Sequence, residues 1–118
     1  MSAPEVLDPD PEDTKLLVLA RSSRTRTGAP EGAAVRSRDG RTYTAVTVAL
    51  PSLQLSALGL ATAMAVASGA DGLEAAAVVT DLDGVTVADL AVVSDLGGAG
   101  VPVWLGDSAG RVVGLAES

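Results

Sequence analysis

Between Ala49 and Gly72 the chain reads ALPSLQLSALGLATAMAVASGADG, and Asp71 is its only charged residue. No other stretch restricts the fold so tightly. Leu53, Leu55, Leu58, Leu60 and Met64 spread around most of a helical circumference, and a helix apolar on nearly every side must be buried on most of them. Pro51 suits the first turn of such a helix, and Ser68-Gly69 with Asp71-Gly72 stop it. Ser52, Ser56, Gly59, Ala63 and Ala67 recur every three or four residues. They predict a small-residue ridge against which another backbone can pack closely, and so an interface between copies of the chain. Insertion into a bilayer does not suit the stretch. Pro51, Ser52, Gln54 and Ser56 interrupt it, and its helical part is shorter than the ~20 residues a span needs. The rest of the chain must therefore wrap this helix.

The elements on either side supply the means. Residues 1–11 read as a flexible N-terminal arm and residues 12–118 as a single domain. In PEDTKLLVLARSSRTR, proline and acids open a helix and arginines close it, matching the helix dipole. Leu16, Leu17, Leu19 and Ala20 form its buried stripe. Gly28, Ala29 and Pro30 break the chain. Gly32–Ser37 and Thr42–Ala49 read as strands joined at Asp39-Gly40, a strong hairpin signal. Leu73–Asp81 reads as the next strand, with Val78 and Val79 at its centre. Thr86 caps a short helix over Val87–Leu96, and Val101–Leu105 and Arg111–Leu115 form a last hairpin. The order α-β-β-α-β-α-β-β predicts an α/β protein of three α/β/α layers, with a mixed five-stranded sheet covered by helices.

What the chain lacks narrows its chemistry. It contains neither cysteine nor histidine, so no thiolate, no imidazole and no disulfide is available. The net charge of −7 argues against a nucleic-acid partner, which requires basic surface. Seven of the eight basic residues nevertheless precede position 42. That local excess either binds an anion or a partner's acidic face, or is simply a solvated surface. The acidic, proline-punctuated N-terminus does not resemble a secretory signal, and a cytoplasmic location without membrane attachment is expected.

Other motifs fall short of a site. Asp81-Leu82-Asp83-Gly84 starts like a calcium loop, but Val92 stands where the bidentate glutamate belongs. Asp89 and Asp95 read as solvated. Serines 52, 56, 68, 94 and 108 have no histidine base, and a Ser–Lys pair would need Lys15 from the arginine-rich first helix. The glycine-rich SDLGGAGVP lacks the Lys-Ser/Thr ending of a phosphate loop. Tyr43 and Trp104 are expected in the core or at an interface.

With GAAV, the Asp-Gly turn, Tyr43 and the element order in place, the chain from about Pro11 onward resembles the cytidine deaminase family. The resemblance implies that family's fold, and it implies dimers or tetramers assembled around the active-site helices. It also sets an Asn-x-Glu for ribose at the end of the second strand, where this chain has Thr47 and Ala49. It sets a zinc ligand, an alanine and a catalytic glutamate at the start of the central helix, where this chain has Leu58, Gly59 and Leu60. Two further ligands of a Pro-Cys-x-x-Cys would fall near DLDGVTVADL, which contains no sulfur. Zinc deamination needs three soft or imidazole ligands and a carboxylate that carries protons. The expectation is a catalytically inactive relative, without metal or other cofactor, acting through homo-oligomerisation or an unidentified protein partner. The alternative is a nucleoside or small-molecule module with a remnant pocket at Thr47, Ala49, Gln54, Ser56, Leu58 and Leu60.

Overall fold

The computed structural model describes residues 7–118. Part of the expected N-terminal arm, residues 1–6, lies outside the described residues. Helix α1 spans Pro11–Thr27. Asp10 caps it by accepting from the Asp13 N–H at 2.8 Å, and Gly28 closes it in the left-handed conformation. Strands β1 (Gly32–Ser37) and β2 (Thr42–Val46) form the predicted hairpin. Its turn needs Gly40, whose φ is +86°, a conformation costly for any residue with a Cβ.

Beyond β2 the chain departs from the expected order. The second strand stops at Val46, and Thr47 is followed by a separate small hairpin, β3 (Val48–Leu50) and β4 (Leu53–Leu55). Pro51 and Ser52 form its turn, not the first turn of a helix. Helix α2 begins six residues later and spans Ala57–Ala67, with Ser56 as its cap. Gln54 and Leu55 accordingly belong to β4. Strand β5 (Leu73–Val79), helix α3 (Val87–Gly97), and strands β6 (Pro102–Gly106) and β7 (Val112–Glu117) follow in the predicted order. Thr86 caps α3 as expected.

Five strands make one mixed sheet in the order β2-β1-β5-β6-β7. β5 and β6 pair in parallel, with Ala76 opposite Val103 and Val78 opposite Leu105; the other pairs are antiparallel. A parallel pair requires a crossover, and α3 supplies it.

Strand alternation sorts the core into two layers. Val35, Ala76, Val78, Val103 and Leu105 point to the side covered by α2 and α3, where they meet Leu58, Ala61, Ala65 and Val93. Ala34, Ala75, Ala77, Val79 and Trp104 point to the other side and meet Leu16, Leu17 and Ala20 of α1. Alanines dominate that second face, so α1 lies close to the sheet. At Gly32 a Cβ would sit 2.1 Å from the Ala20 carbonyl oxygen. Only glycine permits that approach. Trp104 is buried, as expected, and Tyr43 is partly buried against the α2 side.

Candidate functional site

The N-terminal ends of α2 and α3 meet beyond the strand ends at which β2 and β5 finish, and the two caps are tied together. The Ser56 hydroxyl accepts from the Gly59 N–H at 3.0 Å, holding the first turn of α2. The same hydroxyl donates to Asp89 Oδ1 at 2.6 Å. Asp89 lies in the first turn of α3, where its own N–H donates to the Thr86 hydroxyl at 3.1 Å. Only 9% of Asp89 is exposed, which corrects the expectation that it is solvated; Asp95 is exposed. A carboxylate in this position is favoured by the unpaired N–H groups at the start of a helix. The hydroxyl-to-carboxylate bond is charge-assisted and correspondingly strong. Sequence spacing gave no sign of this pair, because its members stand 33 positions apart.

The residues expected to form a remnant pocket do not gather around one. Leu58 is fully buried and packs into the core beneath α2, with Leu60 partly buried against the same cluster. Ala49 and Gln54 are exposed on the small hairpin. Thr47 sits at the break after β2, where its hydroxyl accepts from the Glu31 N–H at 3.2 Å. Of the six, Thr47 alone lines the neighbouring 240 Å³ hollow, with Glu31, Thr80, Asp81 and Leu82 among its other walls. Asp81 is itself engaged by Arg24 Nη2 at 2.9 Å.

The proposed ridge divides as well. Ser52 lies in the hairpin turn and is exposed, away from the helix, while Ser56 is turned to its cap and to Asp89. Gly59, Ala63 and Ala67 remain at a spacing of four on α2. Ala63 and Ala67 are exposed and Gly59 is half-buried. Beside them lie Met64 and Val66, the latter 55% exposed; Leu50 and Leu53 on the preceding hairpin are exposed too.

Chemically this arrangement offers hydroxyls and one buried carboxylate. Ser56 has its proton held by Asp89 and a lone pair held by Gly59, so it is not a free nucleophile. Among the described residues no three acidic side chains come together in a way that could hold a metal ion.

The layer order and sheet topology are those of a deaminase-like α/β fold. The cytidine deaminase-like family profile matches residues 9–110, and the chain belongs to that family. Two solved structures show the likeness. A cytidine deaminase from Burkholderia pseudomallei superposes with a TM-score of 0.75 at 25% identity, covering 86% of this chain and 89% of that one. A cytidine deaminase from Mycobacterium leprae gives 0.69 at 22% identity, covering 93% and 94%. No curated protein matches the sequence. No helix among the described residues is long and apolar enough to cross a membrane.

Proposed function

We propose that this chain is a catalytically inert member of its family that works in the cytoplasm by association, through the exposed face of α2. One observation carries the reading. Where two helix starts converge, the polar side chains are already engaged: the Ser56 hydroxyl donates to Asp89 Oδ1 and accepts from the Gly59 N–H, and the Thr86 hydroxyl accepts from the Asp89 N–H. The zinc site that the family resemblance implies does not fit here. Zinc in a hydrolytic site is held by three protein ligands, drawn from imidazole, thiolate and carboxylate, with a position left open for water, and among the described residues no three acidic side chains gather to replace them. This chain has no cysteine or histidine, and Leu58 faces the core instead of a cleft.

The association surface is supported by the α2 face itself. No residue of Ala57–Ala67 carries a charge, and Met64, Val66, Leu50 and Leu53 present apolar surface to solvent. Clustered apolar exposure of this kind marks interaction sites more often than free surface. The stripe of Gly59, Ala63 and Ala67 allows a partner backbone to come near.

Light scattering and size-exclusion chromatography of the parent and of Ala63→Leu test the reading. The parent should elute as a dimer or tetramer. Ala63 is exposed, so the variant should keep its secondary structure and melt as a folded protein while its mass falls toward that of a monomer. A monomeric parent, or a variant that assembles as the parent does, removes the α2 face from consideration. Release of uridine from cytidine by the purified chain with added zinc would overturn the inert reading. The alternative, a nucleoside-binding module, has less support: the hollow beside Thr47 is smaller than the roughly 300 Å³ at which ligand sites usually begin, and the Thr47 hydroxyl is already bonded.

A further inference from the structure

A sizeable groove lies on the opposite side of the sheet. There α1 is the only covering helix among the described residues, and it packs mainly on β1, β5 and β2 and less on β6. Beside α1, where a second helix would complete the layer, a cavity of about 530 Å³ remains. Leu17, Val18 and Val112 give it an apolar wall, and Val18 is 60% exposed. Arg21 and Arg26 stand on the same wall with Ser22 between them.

Neither arginine enters an ion pair among the described residues, whereas Arg24, Arg36, Arg41 and Arg111 all do. Arg21 is braced in place. Its Nε donates to the Ser108 carbonyl at 3.3 Å, and Nη1 lies over the turn at Gly110, 3.0 Å from where a Cβ there would stand. A guanidinium held by one nitrogen keeps the others free for an acceptor, and its planar fork suits a carboxylate or phosphate. The chain as a whole carries a net charge of −7, so two cations in one groove with no ion-pair partner among the described residues oppose the general sign of the molecule. They concentrate anions locally.

We infer that this groove binds a small amphiphilic anion, with a carboxylate or phosphate head on Arg21 and Arg26 and a short apolar body along Leu17, Val18 and Val112. The cavity volume falls within the roughly 300–1,000 Å³ common to small-molecule sites. This inference is independent of the α2 face, which lies across the sheet.

Titration of the full chain with octanoate, followed by amide chemical shifts, tests it. Saturable shifts are expected at Val18, Ser22 and Thr25. Octyl phosphate should reproduce them, and the tighter of the two identifies the head group. Octanol and octyltrimethylammonium should bind far more weakly. The double variant Arg21→Ala, Arg26→Ala should lose about tenfold or more in octanoate affinity and leave the weak binding of octanol unchanged. Both arginines are exposed, so the fold should survive; Val18→Asp, which sets a like charge into the groove, gives a second route to the same loss. Absence of saturation at about 10 mM octanoate would overturn the inference. So would equal binding by the double variant, shifts confined to α2 and α3, or an acidic peptide binding more tightly than either octyl anion.

Discussion

The two sides of the sheet are held by different forces. On the α1 side a charged network joins four elements. Asp13 of α1 accepts from Arg36 Nη2 of β1 at 2.8 Å and from the Trp104 indole N–H of β6 at 2.9 Å, while Arg36 Nε donates to Glu74 of β5 at 2.7 Å. Burial works against the charge on Arg36, but its bonds to Glu74 and Asp13 outweigh that and raise its pKa above the ordinary value. On the other side α2 has no charge at all, and one hydroxyl-to-carboxylate bond ties it to α3. The difference separates two jobs. Buried charges, which tolerate few alternative partners, fix the position of α1. An uncharged helix held by packing and one bond leaves an outer face of small and apolar side chains.

The sharpest way to break the contrast is to remove Asp13. Asp13→Ala leaves the buried Arg36 with only Glu74 and strips Trp104 of its acceptor. Loss of one partner from a buried pair costs about 3–5 kcal/mol, which urea denaturation should register as a large fall in midpoint. Ser56→Ala should cost less, about 1–2 kcal/mol, since it deletes one cap and one bond to a carboxylate. Should Ser56→Ala prove the more damaging of the two, the division of labour stated above is reversed.

The smallest effect is expected at the turns. Asp39 is held below the ordinary carboxylate range chiefly by the hydroxyl of Ser37. Asp107 is lowered chiefly by the Arg111 N–H and next by that of Ala109. Carboxylates lowered on folding contribute stability that is complete above about pH 4 and is lost as pH falls through their folded values. Melting temperature should therefore drop modestly on acidification below about pH 4, and Asp107→Asn, which lacks this contribution, should melt slightly below the parent at neutral pH and show a shallower decline. A steeper decline in Asp107→Asn than in the parent would contradict this.

Elements whose signals are local were legible in the sequence. Pro11 with Glu12 and Asp13 marked the start of α1, Asp39-Gly40 the first hairpin, and Thr86 the start of α3. The β3–β4 hairpin was not legible, because Pro51-Ser52 suits a tight turn as well as a helix start, and its three-residue strands are too short to show alternation. Ser56 before Ala57 was the usable clue, a capping hydroxyl directly ahead of the alanine-rich run. The Asp13–Arg36–Glu74–Trp104 network and the Ser56–Asp89 pair could not be read, since each joins residues brought together only by the fold. Of the expected pocket, Thr47 borders the hollow beside Asp81 and Leu82, whereas the small hairpin carries Ala49 and Gln54 outward and α2 turns Leu58 inward.

The double duty of Ser56 sets a toll on anyone redesigning this scaffold. Grafting a ligand onto that position would strip a helix of its starting brace and orphan a carboxylate in the interior before any new chemistry was gained. An engineer would have to rebuild the junction first, and a thiol installed at Leu58 would be swallowed by the hydrophobic interior. The framework has its family's outline, and the junction of its two helix starts serves as a structural joint.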